Sequence, residues 1–154
     1  MTFQSLCYSL HVLAGTLWVG GMFFAWAILR PAALEAVQGP SRLKLWEGVF
    51  RRFFAWVWLC VAILPISGMV ILNDRFSGFE TAPRHVQAMM GGYLVMLALY
   101  LKIQALRWPE LRAAMLAEDW TAGATALAAI RRLVGANLSI GIAITVLATL
   151  RPAW

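Results

Sequence analysis

The sequence predicts an all-α integral membrane protein. It is a four-transmembrane-helix bundle, a single domain over residues 1–154, with both termini periplasmic. Three observations carry that expectation. The chain is 62% hydrophobic and 13% charged, where a soluble domain holds about 25% charged residues. The apolar residues fall into four runs, each close to the roughly 20 residues that cross a bilayer. The Lys and Arg residues gather beside alternate connections, the pattern that orients membrane helices.

The first span runs over residues 6–29 and contains no acidic or basic residue, only His11. Ala25-Trp26-Ala27 has the small-x-small shape of a cleavage site. The stretch from Met1 to Ser5 carries no positive charge, however, and the apolar run exceeds the h-region of a signal peptide, so a retained helix is expected. The second span covers 53–72 and ends at Asn73-Asp74. Before it, Arg42 to Arg52 interleaves charge with Leu, Trp, Val and Phe, which predicts a helix at the membrane interface continuing into the span. The third span covers 86–106, with Lys102 near its far end. The fourth covers 133–150 and ends at Arg151-Pro152. Asp119-Trp120-Thr121 predicts a helix start ahead of it, with Thr121 as a candidate N-cap. Pro31, Pro40 and Pro109 are expected to mark breaks.

Ten of the 13 Lys and Arg residues fall in or beside the connections 30–52 and 102–132; Arg75, Arg84 and Arg151 lie on the opposite side. The basic connections are therefore expected in the cytoplasm and both termini outside, which in a bacterial inner membrane means the periplasm. The net charge of +6 follows from this topology. Nucleic acid is excluded as a partner, because no nucleic-acid motif accompanies the charge. Cys7 and Cys60 are expected at different depths, too far apart for a disulfide. No span holds a carboxylate, which argues against an acidic proton relay and against paired-carboxylate hydrolysis. GxGxxG, P-loop, HExxH and CxxC motifs are all missing from the sequence.

The chemistry-bearing candidates are the two histidines. An ionisable ring inside a membrane span is costly and is a functional candidate by default. Spans one and three run in the same direction, so His11 and His85 share the outer third of the bilayer, offset by about a turn. Two imidazoles from facing helices are what a b-type haem needs as axial ligands. Gly15 follows His11 on the same face, and Gly92 lies two turns below His85; both would leave space for a flat macrocycle. Arg75, Arg84 and Arg151 sit on the outer side, where guanidinium groups pair with propionates. Trp18, Trp56, Trp58 and Phe54 offer flat walls. The first reading is thus a haem b protein passing single electrons, with the quinone pool or a periplasmic redox protein as partner. The alternative is copper, held by His11, His85, Met89 and Met90, because thioether and imidazole suit Cu(I). The third is a cofactor-free structural subunit, and a homo-oligomer fits any of the three. Ser67, Asn137, Ser139 and Thr145 are the other polar residues within spans. Hydroxyl side chains there satisfy themselves on their own helix. Asn137, near the cytoplasmic end, is expected to bond across to another helix.

The stretch from His11 to Phe24, with its His-x6-Trp-x-Gly-Gly pattern, followed by Leu29-Arg30-Pro31-Ala32, resembles the first helix of the CopD family of bacterial membrane proteins. Arg51 to Trp56 with Ser67-Gly68, Arg84 to Met90, and Ile130 to Leu138 resemble the same family in order, so the likeness spans nearly the whole chain. The resemblance implies a four-helix membrane bundle linked to copper uptake or export. A related branch, the HemJ-type membrane protoporphyrinogen oxidase, is a haem b protein that shares the His-x6-Trp pattern and an ending like Arg151-Pro152. That branch carries an Arg late in helix one and a Lys early in helix three. This chain has Met22 to Ala27 and His85 at those places, which counts against the oxidase activity and leaves haem binding open.

Overall fold

A computed structural model describes residues 2–150 as four long helices. They are α1 (Phe3–Ala36), α2 (Gly39–Phe76), α3 (Arg84–Leu116) and α4 (Trp120–Leu150), and each is long and apolar enough to cross a membrane. No strand occurs among the described residues. The main packing is α1 on α2 and α3 on α4, with α4 also meeting α1 and α2. The start of α1, the end of α4 and the α2–α3 connection lie at one end of the bundle, the terminal end. The two short connections lie at the other, the connecting end.

All four helices exceed their sequence-predicted spans. At 1.5 Å of rise per residue, they reach well past the hydrocarbon on the connecting side. The segment expected at the interface, Arg42 to Arg52, stands upright as the first part of α2. Its Leu43, Trp46 and Phe50 continue the buried stripe of Phe54, Val57 and Cys60, a 3–4 spacing that keeps one face inward. That stripe packs with Ile103, Leu111, Leu127 and Ile130, so the connecting end has a hydrophobic core of its own.

Pro40 does mark a break, between α1 and α2. Pro31 and Pro109 do not. Each follows a π turn, Phe24–Leu29 in α1 and Ile103–Arg107 in α3. Proline lacks an N–H and its ring crowds the carbonyl four residues back. The wide turn relieves this, because the residue just before each proline reaches one residue further. Arg30 N–H bonds Ala25 O, and Trp108 N–H bonds Ile103 O. Pro65, inside α2, is accommodated differently. The carbonyl it leaves without a helical donor is that of Val61, and the Tyr93 hydroxyl of α3 donates to it at 2.9 Å. Water cannot serve that carbonyl in a bilayer, so a side chain from a neighbouring helix does. Tyr100 likewise donates to Phe54 O at 3.0 Å and accepts from Gln104 at 2.8 Å. These two tyrosines join α3 to α2.

The N-cap of α4 is Asp119, not Thr121. Its carboxylate accepts from Ala122 N–H at 2.9 Å and places negative charge at a helix N-terminus. Asp119→Ala is expected to lower stability by about 0.5–2 kcal/mol. A midpoint unchanged on thermal denaturation in detergent would remove Asp119 from that role.

Candidate metal-binding tiers inside the bundle

His11 sits on the inward stripe of α1, between Cys7 and Ala14, and is half-buried. Its ring lies against the backbone of α2: a Cβ placed on Gly68 would stand 3.2 Å from His11 Cε1. His11 Nδ1 is 2.9 Å from Ser67 Oγ. The Ser67 hydroxyl is itself 2.6 Å from Ile63 O, so its single proton goes to that carbonyl. Ser67 therefore accepts from His11, and Nδ1 carries the ring proton. Nε2 is left with its lone pair, the form of imidazole that ligates metals. The reading of Ser67 as a residue that only satisfies its own helix is incomplete; it does so and orients His11 as well.

His85 lies in the first turn of α3. Its Nδ1 is closed off from solvent and has no hydrogen-bond partner among the described residues. No hydrogen bond joins the two rings, since His11 is engaged by α2. Their depths agree within about a turn. Trp18, two turns below His11, meets Tyr93, two turns below His85, with ring centroids 6.4 Å apart.

Gly15 has open space where a Cβ would be, as expected. Gly92 does not: a Cβ there would overlap Ile144 of α4, so Gly92 serves close packing of α3 on α4 instead of leaving room for a macrocycle. Arg75 stacks on the Tyr8 ring of α1 at 5.4 Å. Beside it, Gln4 donates to Asp74 at 3.0 Å, so this pair of contacts ties α1 to α2. Arg84 is exposed. Arg151 lies outside the described residues. Trp18 is buried against Tyr93 and Tyr100, and Phe54 stacks on Phe50. Trp56 points outward. Trp58 is exposed but keeps one edge on Tyr100. Cys7 and Cys60 are both buried free thiols.

A cavity of about 760 Å³ opens between the outer halves of α2 and α3, under their connection. Met69, Met90, Phe79 and Leu94 give it apolar walls, and Asn73 and Gln87 are its polar members. Met90 thus has a second thioether in the same cavity; Met89 is half-buried. No cluster of three or more His, Cys, Asp or Glu residues able to hold a metal occurs among the described residues.

Asn137 is 1% exposed and lies midway along α4. It does bond across, its Nδ2 donating to Met96 O of α3 at 3.2 Å. It sits deeper in the bundle than the cytoplasmic edge where the sequence placed it, because α4 begins so far before its span. Its Oδ1 has no hydrogen-bond partner among the described residues.

Residues 47–151 match the family Copper resistance protein D, CopD. The match covers well over half of the chain, from within α2 through α4, and includes His85, Met89, Met90, Met96 and Asn137; α1 with His11 precedes it. No curated protein and no solved structure matches the chain. The chain belongs to the CopD family and is a multi-pass membrane protein of that family.

Proposed function

We propose that this CopD-family membrane protein binds monovalent copper as cargo at the terminal end of its bundle. The charge of the basic connections supports a periplasmic position for that end, in a bacterial inner membrane. The observation that carries the reading is the His11–Ser67 hydrogen bond, which favours the Nδ1–H tautomer and so an Nε2 that keeps its lone pair. A hydrogen bond from the ring's other nitrogen orients a metal-ligating histidine. His85, with its buried and unpartnered Nδ1, is the second imidazole, and Met89 lies one turn below it. Met69 and Met90 line an open groove between α2 and α3 toward the same end, and their thioethers suit a soft ion. Low coordination from soft donors matches Cu(I) and disfavours the hard divalent ions, which require several oxygens.

Haem b is a second reading, favoured by the open face at Gly15 and disfavoured by the filled space at Gly92. The two separate by spectroscopy and metal content. Protein purified in detergent after expression with copper and haem supplied is expected to be free of a Soret band. Under reducing anaerobic conditions it is expected to retain Cu(I) against a colorimetric chelator. A Soret band with sharp reduced α and β bands, lost in His11→Ala and in His85→Ala, would overturn the copper reading in favour of haem.

A further inference from the structure

The helices α1 and α3 repeat one design. In α1, His11 is followed three turns deeper by Met22, then the π turn Phe24–Leu29, then Pro31. In α3, His85 is followed at the same spacing by Met96, then the π turn Ile103–Arg107, then Pro109. Each helix then pairs in an antiparallel hairpin, α1 with α2 and α3 with α4. Two such hairpins related by an axis along the membrane normal form a parallel repeat, an arrangement that places binding sites at the repeat interface near the membrane midplane. Equivalent residues then come in pairs, His with His and Met with Met.

The methionines meet the requirement of a shared depth. A Cβ on Gly141 of α4 would stand 2.8 Å from Val19 of α1 and 3.2 Å from Met96 Cε of α3. Met22 lies one turn beyond Val19, and helical side chains lean toward their own N-terminus, which returns its sulfur toward the Gly141 level. Both methionines are sealed, at 2% and 4% exposure. A core-filling role alone would account for them. It leaves Asn137 unexplained. The Asn137 amide is held at this depth by its bond to Met96 O, and its Oδ1 is buried with nothing to accept from. In a hydrocarbon surround an unpaired amide oxygen costs several kcal/mol, roughly, and a bound cation removes that cost.

We propose that the two thioethers of Met22 and Met96, with the Asn137 amide oxygen, form a second, inner Cu(I) site on the bundle axis, beneath the histidine tier. This rests on the copper reading of the outer tier. Two sulfurs and one weak oxygen form a low-coordinate soft set that holds Cu(I) and not a hard ion. No bond is formed or broken beyond coordination, and copper stays monovalent.

The test uses the whole protein in detergent, with Cu(I) titrated anaerobically against a chromophoric chelator, together with X-ray absorption of the copper-loaded wild type. The wild type is expected to bind about two Cu(I) per chain, with a sulfur shell around copper. The double variant Met22→Leu/Met96→Leu conserves core volume; it is expected to bind about half as much copper and to lose part of that sulfur shell, while His11→Ala keeps the inner ion. An unchanged stoichiometry and sulfur shell in the double variant overturns the inner site. A single ion lost with His11→Ala and indifferent to the methionines overturns the inner site and leaves the outer one standing. Wild-type protein that binds no Cu(I) overturns both.

Discussion

His11→Ala is expected to empty the proposed outer copper site, and Ser67→Ala to weaken it by about 10- to 100-fold, the usual cost of deleting the hydrogen-bond partner of a metal-ligating histidine. The two variants act on the same nitrogen pair from opposite sides. His11→Ala deletes the ligand. Ser67→Ala leaves the ring in place and removes only the acceptor of its Nδ1–H, whose bond is 2.9 Å long. Without that acceptor the imidazole is free to turn or to exchange tautomers, so Nε2 no longer stays poised as a ligand. The Ile63 carbonyl, which accepts from Ser67 at 2.6 Å, keeps its helical role, so Ser67→Ala costs little stability. Affinity is read by chelator competition and stability by thermal denaturation of the same sample. A Ser67→Ala protein with wild-type Cu(I) affinity would show that the serine does not orient a ligand.

Trp18→Ala is expected to lower stability by about 3–5 kcal/mol, the range for emptying a large aromatic site in a packed core. Trp18 is 2% exposed and stands edge-on to both Tyr93 at 6.4 Å and Tyr100 at 6.1 Å. Those tyrosines bridge α3 to α2 through the carbonyls of Val61 and Phe54. The cavity left by the indole would therefore loosen both bridges, including the one that satisfies the carbonyl freed by Pro65, as well as removing its own contacts. Trp56→Ala is the matched control, since that indole is 59% exposed on the outside of the bundle. Thermal denaturation in detergent should show a large drop for the first variant and a small one for the second. Equal effects would place the bundle's keystone elsewhere.

Much of the architecture was legible in the sequence because a bilayer writes it there. Four apolar runs gave four helices. Boundaries were less legible. Hydropathy marks where a helix leaves hydrocarbon, not where it ends; charge patterning and a cap signal showed the lead-ins to α2 and α4, but the extensions of α1 to Ala36 and α3 to Leu116 went unseen. Pro31 and Pro109 read as breaks because proline forbids an α turn; the chain uses a π turn instead, and no local signal announces that choice. Asp119, the cap, lies two residues before Thr121, the residue the sequence suggested. Gly15 and Gly92 looked alike in sequence, yet one faces open space and the other faces Ile144.

The sequence by itself determined that this chain crosses a membrane four times, and it singled out His11 and His85 as the ionisable rings within or at the edge of the spans. Only the tertiary structure decided which faces turn inward and which side chains meet. In a soluble protein that choice is visible as a contrast between apolar and polar faces. Here lipid is as apolar as the core, so the contrast vanishes. Ala14 is buried while its neighbour Leu13 faces lipid, the reverse of what hydropathy would choose. Burial goes to the side chain whose shape fits. Thus Ser67 came to hold His11, Tyr93 came to serve Val61, and Asn137 came to meet the Met96 carbonyl, none of it written in the period of the sequence.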